Sequence, residues 1–335
     1  VFTSSKLLSK TRRAQAERDG VNSDKNRVSS NHNIRRELVS YLESDIYNAQ
    51  MRRIQIKHTT AYYYHEAVTL KPHTMYLRPR EGHDIRLESS RLDININYQI
   101  QWQRDVYGNS IAIVSFAEPA TELIINSEVI VEHYEEQPLE FILADHAQHY
   151  PFEYGSMEQI DLTPYQLAIY PHENPLVHEW IASLCDTSGV LNTVDLLTRI
   201  NNKIVEELQY QTREQPGVQS PAETLSRGSG SCRDFATLFI ESCRSCGLAS
   251  RFISGYLLNE PASSENATTH AWSEVYLPGS GWRGFDSTSG LVVGGDHIAV
   301  AVHRHPEAVP PIAGSFSGSI NAQPRMEVDV QVAQL

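Results

Sequence analysis

The chain has 335 residues, 40% of them hydrophobic and 21% charged, which is enough to bury two separate cores. Its formal charge of −13 divides into +3 on residues 1–50 and −16 on residues 51–335, an acidic body that argues against nucleic acid or an anionic membrane as partner. Four cysteines are too few for a disulfide framework at this size, and no stretch approaches the roughly 18 apolar residues of a membrane span, so a reducing compartment, the cytoplasm, is expected.

In chain order, residues 1–50 are polar and read as a flexible leader with one helix over Ile34–Asn48. Met51 stands directly before the first predicted strand and is the expected natural start; the competing reading, a targeting peptide, rests on the lack of acids in the first sixteen residues. Residues 51–136 predict a small all-β domain. Ile54–His58 alternates, Val68–Leu77 and Ile85–Ile100 supply further runs, Gln101–Asp105 and Ile111–Phe116 flank a turn at Tyr107-Gly108-Asn109-Ser110, and Leu123–Tyr134 closes the set. Its histidines, His58, His65, His73, His83 and His133, lack compact ligand spacing, so no metal is assigned. Residues 135–171 read as a proline-rich linker whose aromatics glue two domains together.

Residues 137–335 form the second domain. Asn174-Pro175 opens a helix to Cys185, Thr193 opens another to Gln209 with Leu196, Leu197, Ile200, Ile204 and Leu208 as its buried stripe, and Ser220-Pro221-Ala222-Glu223 has capping-box spacing for a short third. The glycine-rich turn Arg227-Gly228-Ser229-Gly230-Ser231 then delivers Cys232 to the first turn of a helix with apolar residues at Phe235, Leu238, Phe239, Cys243 and Cys246 and a stop at Gly247. Unpaired N–H groups at a helix N-terminus favour negative charge on a sulfur, and Gly228 and Gly230 leave room for a substrate carbonyl. The plainer alternative is a small-residue cap over a buried cysteine.

Thr269–Leu277 alternates as a strand, Pro278-Gly279-Ser280-Gly281 is turn chemistry, and Trp282–Asp286 begins a second strand, so one hairpin carries His270 and Asp286. Cysteine, histidine and a carboxylate are the groups a thiol hydrolase or acyltransferase needs as nucleophile, proton carrier and imidazole anchor. Opposite residues of paired strands share a face, so pairing Leu277 with Trp282 would put Asp286 on the wrong side of the hairpin; pairing Leu277 with Arg283 would set Asp286 opposite Glu274, on the His270 side. An odd-length loop or a bulge is therefore expected. Helices ahead of Cys232 and strands behind it, at Arg251–Leu258, Thr269–Leu277, Trp282–Asp286 and His297–His303, indicate an α+β core with helices packed on an antiparallel sheet. Residues 305–324 read as a long surface connection that overhangs the site, and Met326–Val332 as a final strand pairing back onto the sheet.

The segments Gly230-x-Cys232-Arg233-Asp234-Phe235-Ala236, His270-Ala271-Trp272-x-Glu274-Val275-Tyr276-Leu277-Pro278 and Gly281-Trp282-x-Gly284-Phe285-Asp286-x-Thr288 resemble the bacterial transglutaminase-like superfamily, more narrowly its cysteine proteases with an N-terminal β domain. The likeness continues through Asp296-His297-Ile298-Ala299-Val300-Ala301 to Pro310-Pro311, and upstream into the β-rich run from Arg53. It implies a papain-like core in which Cys232 attacks an amide or ester carbonyl, His270 takes the thiol proton and Asp286 orients His270. The chain departs from the family's frequent Asp-Pro-Thr-Asn with Asp286-Ser287-Thr288-Ser289, which bears on the loop more than on the triad.

The remaining constellations read as structural. Cys243-Arg244-Ser245-Cys246 lies inside the helix and packs on its core face, Asp234 suits the helix dipole, and a zinc site from His297, His303 and His305 with His270 is weighed and set aside. The expected oxyanion donors are the Cys232 N–H and a side chain of Gln209, Tyr210 or Gln211. Gly230, Tyr210, Gln211 and Trp272 are the candidate substrate cleft, with Trp282 read as a core aromatic. The expectation is hydrolysis of a peptide, protein or other amide substrate without cofactor or metal; a transamidase and a non-catalytic binding module are the alternatives, and the oligomeric state is left open.

Overall fold

The computed structural model describes residues 51–134, 142–185, 191–213, 215–258, 269–319, 322 and 324–335. The N-terminal segment with its expected helix, and Pro138 and Phe141 of the expected linker, lie outside the described residues. The first strands are β1 (Arg52–Leu70), β2 (His73–Met75), β3 (Ile85–Ile94), β4 (Tyr98–Arg104), β5 (Ser110–Phe116) and β6 (Ala120–His133). Helices α1 (Ser156–Gln166), α2 (Asn174–Cys185), α3 (Thr193–Glu207), α4 (Pro221–Arg227) and α5 (Cys232–Ser245) follow, among the short strands β7 (His149–Tyr150), β8 (Leu191–Asn192), β9 (Gln209–Tyr210) and β10 (Ser229–Gly230). The chain finishes with β11 (Ser250–Leu257), β12 (Thr269–Leu277), β13 (Gly281–Asp286), β14 (Leu291–Val292), β15 (His297–His303), β16 (Ile312–Ala313), β17 (Phe316–Ser317) and β18 (Pro324–Gln334).

Two antiparallel sheets make the β domain, one in the order β17-β1-β6-β3 with β18 also on β1, the other β16-β2-β5-β4. Tyr64, Val68, Leu70, Met75, Val114, Leu123 and Ile125 fill the space between them. The expected run from Val68 to Leu77 is divided, because Pro72 has no N–H to give a ladder and separates β1 from β2. The run from Ile85 to Ile100 divides as well, at Asn95, whose side-chain oxygen accepts from the Ile124 N–H at 2.8 Å. The C-terminal strand is longer than expected and pairs with β1, Ile56 against Val332, so it joins the first sheet and not the one beside Cys232.

The second half builds the expected α+β core. Its sheet runs β14-β13-β12-β11-β15, with every pairing antiparallel. Ala271, Ser273, Val275 and Leu277 of β12 alternate onto α5: Ser273 Oγ donates to the Ala236 carbonyl at 3.0 Å, and Val275 and Leu277 enter a core with Leu196, Ile200, Phe235, Leu238 and Phe239. Each such fully buried large aliphatic side chain stabilises the fold by about 1.5–3 kcal/mol. Helix α1 was not foreseen in the linker, since Leu162 is its one buried residue and Pro164 lies inside it.

The β domain packs on this sheet directly. Ile54, Ile56, Val129 and Val131 meet Tyr256, Ile298 and Val300 in one cluster. His58 Nδ1 lies 2.8 Å from the Tyr256 hydroxyl in that interface, and burial pulls His58 down to about 4. At the outer edge of β15, Asn109 behaves as an extra strand: its side-chain nitrogen donates to the Val302 carbonyl at 2.8 Å, and its oxygen accepts from the Val302 N–H at 2.9 Å. Both peptide groups of an otherwise open edge residue are thereby satisfied.

Gly255, in the middle of β11, lies opposite His270, and a Cβ built there would sit 2.3 Å from the Ile298 carbonyl oxygen and 2.6 Å from the Trp272 ring. Gly255→Ala is therefore expected to destabilise the protein by about 1–3 kcal/mol through overpacking, read as a lower urea midpoint with an unchanged m-value. An unaltered midpoint would mean that the strand carries no such constraint.

Candidate active site

Cys232 is held by the local geometry of the turn before it. Gly228 ends α4 with φ 65°, a left-handed conformation in which a side chain is strained. The chain then runs through β10, parallel to β9, with Gly230 beside Tyr210, and the Gln211 N–H donates to the Gly230 carbonyl at 2.8 Å. Asp234, fully buried, accepts from the Ser231 N–H and Ser231 Oγ at 2.8 Å each, from the Gln219 N–H at 2.7 Å, and from Arg213 Nε and Nη2 at 2.8 and 3.2 Å. Burial alone would raise its carboxyl; Arg213, Gln219 and Ser231 outweigh that and hold it below the ordinary carboxylate range. The structural role expected for Asp234 is thus a specific one, fixing the start of α5 and the segment from Arg213 to Gln219.

The hairpin has the odd-length loop its chemistry requires. Leu277 pairs with Gly281 across Pro278, Gly279 and Ser280, and Gly279 and Gly281 both have positive φ, 86° and 74°. The register lies two residues from the one expected from the sequence, so continuing the ladder from Phe285 opposite Ser273 sets Asp286 across from Trp272 and not Glu274. Either way Asp286 shares the His270 face, because only the parity of the loop matters.

His270 Nε2 lies 3.0 Å from Asp286 Oδ2, and Cys232 is the other side chain close enough to act on the ring. Burial would lower the imidazole's proton affinity; the bonds to Asp286 and Cys232 outweigh it and raise His270 to about 10. Asp286 is 1% exposed, and although burial opposes its charge, hydrogen bonds from His270, His297 and the Thr288 N–H hold its carboxyl far below the ordinary range. Ser289 Oγ donates to Asp286 Oδ2 at 3.0 Å, and Ser287 Oγ donates to Asn201 Oδ1 at 2.7 Å, while Asn201 donates to the Asp286 carbonyl at 3.3 Å. Both serines that depart from the family's usual tetrapeptide are therefore engaged around the acid.

The structure brings together Cys232, His270 and Asp286, and lays Tyr210 and Gln211 alongside the turn before Cys232. The main-chain N–H groups of Gln209 and Gln211 are spent on the Gly228 and Gly230 carbonyls. Two cleft candidates move inward. Gly230 is buried because its missing side chain makes room for Asp234 and Phe235, whose atoms lie 2.9 and 3.2 Å from a built Cβ. Trp272 is 1% exposed and packs with Ile253 and Val302, a support under His270 and not a wall facing substrate. Trp282 is half-buried with the Arg251 guanidinium 4.0 Å from its ring centre.

His297 joins the site, with Nε2 3.3 Å from Asp286 Oδ2; His303 does not, since its Nδ1 accepts from the His305 N–H. Among the described residues, His270, Asp286 and His297 are the group whose ligand atoms, within 4.8 Å of one another, have metal-binding types. Both imidazoles stand within hydrogen-bond distance of one carboxylate oxygen. Cys243 is fully buried in the α5 core, while Cys246 faces Cys185 with sulfurs 3.7 Å apart, a thiol pair across α2 and α5 that the sequence spacing did not reveal.

Comparison with known proteins gives two family matches: a bacterial transglutaminase-like N-terminal region over residues 54–132 and a transglutaminase-like superfamily domain over residues 183–287. An uncharacterized protein of Mycobacterium tuberculosis is 28% identical over 293 residues, covering 83% of this chain and 92% of its own, and one of Mycobacterium leprae is 24% identical over 292 residues, covering 85% and 100%. A crystal structure from Cytophaga hutchinsonii, provisionally named a cysteine protease, shares the fold with a TM-score of 0.64 at 17% identity, covering 85% of this chain and 91% of its own.

The shifts of His270 and Asp286 set a pH window for their mutual stabilisation. A raised imidazole contributes fully below its unfolded value near 6.5 and loses the contribution as pH climbs through about 10; a depressed carboxyl contributes above its unfolded value near 3.8 and loses it as pH falls below that. A double-mutant cycle of His270→Gln and Asp286→Asn, read by urea unfolding, is expected to show its largest coupling between about pH 4 and pH 6.5 and to decline through about pH 10. Coupling that does not vary with pH would contradict the ion pair.

Proposed function

Because the chain belongs to the bacterial transglutaminase-like superfamily, we propose that it is a cysteine hydrolase that cleaves a peptide or amide bond through an acyl-enzyme on Cys232. The observation that carries this reading is the placement of the His270 ring beside Cys232 and 3.0 Å from Asp286. His270 carries the proton that the thiol gives up, and the sulfur attacks the carbonyl carbon to form a C–S bond. The oxyanion that results meets the Cys232 N–H at the start of α5, where no intrahelical acceptor competes, and a side chain of Tyr210 or Gln211. His270 then returns the proton to the nitrogen of the leaving amine as the C–N bond breaks. Water attacks the thioester, giving its proton to His270; the C–S bond breaks, the acid departs, and Cys232 and His270 return to their starting state.

Asp286 keeps the imidazole in the orientation and protonation state both transfers need, the same division of labour as in other nucleophile–imidazole–carboxylate sites. An amine in place of water would turn the second half into transamidation. The provisional protease name of the Cytophaga structure favours water. Free thiols at Cys185, Cys232, Cys243 and Cys246 support a reducing compartment, and we place the enzyme in the cytoplasm. Among the described residues, no helix is long and apolar enough to cross a membrane.

With p-nitrophenyl acetate as a generic acyl donor, the wild-type protein is expected to release a burst of nitrophenol and to carry an acetyl group on Cys232, found by peptide mass mapping. Cys232→Ala should give neither, and His270→Ala should slow acylation by about 10²–10⁴-fold. Turnover at the wild-type rate in folded Cys232→Ala would remove the proposal.

A further inference from the structure

The acid of the proposed triad is shared. Asp286 Oδ2 accepts not only from His270 Nε2 at 3.0 Å but also from His297 Nε2 at 3.3 Å. An ionised carboxylate can only accept, so His297 presents Nε2–H to it. The other ring nitrogen, Nδ1, is buried with no hydrogen-bond partner among the described residues. Burying a polar atom unsatisfied is unfavourable and uncommon, and where it persists the cause is sought in what the rest of the group does. Here the rest of the group is a donor aimed at the acid of the site.

The fold makes an opening for that contact. His297 lies on β15 and His270 on β12, with β11 between them, where Leu257 pairs with His297 and Gly255 with His270. Those positions share a face, and a Cβ at residue 255 would sit 2.6 Å from the Trp272 ring. Gly255 leaves that ring its place: Trp272 packs edge-on against His297 at 5.2 Å and 77°, and the two imidazoles lie 6.0 Å apart between centres. The backbone of His297 is fixed as well, its N–H donating to the Gly294 carbonyl at 3.0 Å while its own carbonyl accepts from the His133 ring of β6.

We infer that His297 is a positioning residue, one that rests on the reading of Cys232, His270 and Asp286 as the reacting unit: its Nε2–H clamps the Asp286 carboxylate so that the acid stays turned toward His270. Ser289 Oγ and the Thr288 N–H hold the same carboxylate from its own loop, at 3.0 and 2.9 Å. His297 is the donor that reaches it from across the sheet, tying the acid to the body of the core. The titratable groups in direct contact with the triad's acid and base are then Cys232 from α5, His270 from β12 and His297 from β15, with Asn201 of α3 touching only the Asp286 main chain.

The test uses the full chain with three substitutions, the His270 ring followed by NMR across pH, and turnover measured with p-nitrophenyl acetate. In His297→Phe, which keeps a ring and removes the donor, kcat is expected to fall about tenfold or more with KM nearly unchanged, and the His270 midpoint to move from about 10 toward neutrality by at least tenfold in proton concentration. His297→Gln places an amide N–H near the position of Nε2 and is expected to restore both to within about twofold of wild type. His297→Asn, polar but too short to reach the carboxylate, should behave as the Phe variant does and serves in its place if that variant does not fold. The inference is overturned if folded His297→Phe or His297→Asn matches wild type in both readouts, or if His297→Gln is as impaired as they are, which would leave ring packing against Trp272 as the whole role. Either result leaves the proposed function standing as long as Cys232→Ala is inactive; turnover by Cys232→Ala would instead remove the function on which this role depends.

Discussion

A carboxylate that is 1% exposed and must nevertheless stay charged is the constraint on which the site turns. Taking such a group out of water costs several kcal/mol after relaxation, and the cost is recovered only where donors surround it. Asp286 has four within hydrogen-bond reach: the Thr288 N–H, Ser289 Oγ, and one ring nitrogen each from His270 and His297. Each comes from an element whose placement needs its own explanation. The first two follow from the turn after β13, the third from the parity of a three-residue loop, and the fourth from β15, which lies beyond β12 and β11 in the same sheet. The protonated imidazole that the chemistry calls for follows from the same carboxylate, since its bond to His270 outweighs the burial that would strip the ring of its proton.

A second buried acid does for the sulfur what Asp286 does for the imidazole. Asp234 gathers Ser231, Gln219 and Arg213 around the first turn of α5 and so fixes the direction in which Cys232 leaves the helix. Cys232 is thus located by one acid on a helix, and His270 by another on a hairpin. Between them, Ala271 and Ser273 of β12 pack against Ala236 of α5, so the two halves meet through the apolar core and not through solvent. The β domain supports the opposite part of the sheet through Ile54, Ile56, Val129 and Val131, and Asn109 closes the free edge of β15 not far along the strand from His297.

Much of this was legible in the residues. A glycine turn, a cysteine and an i, i+3, i+4 stripe fix the start and buried face of α5, because all three signals are local. The period-2 pattern of β12 and β13 demanded a loop of odd length, and the loop is odd. The exact register was not legible, since it depends on Gly279 and Gly281 both adopting positive φ, which several turn types with the same residues satisfy. Helix α1 was hidden because almost nothing on it is buried, and the docking of β18 on β1 because its alternation fits any open sheet edge equally well. Gly230 and Trp272 read as cleft residues from their neighbourhood in sequence, and the structure spends both on packing. His297 was read as one of three nearby histidines and as part of the family-like run from Asp296; its contact with Asp286 joins β13 and β15, which β12 and β11 separate, and no local pattern reports such a contact.

The central claim is that the His270 ring activates the Cys232 sulfur, and the most direct measurement is the rate of Cys232 alkylation by iodoacetamide in the wild-type protein and in His270→Ala, followed by peptide mapping. The account predicts rapid labelling of Cys232, selective over Cys185, Cys243 and Cys246, and loss of that reactivity in His270→Ala. Labelling of Cys232 at the same rate with and without His270 would contradict it.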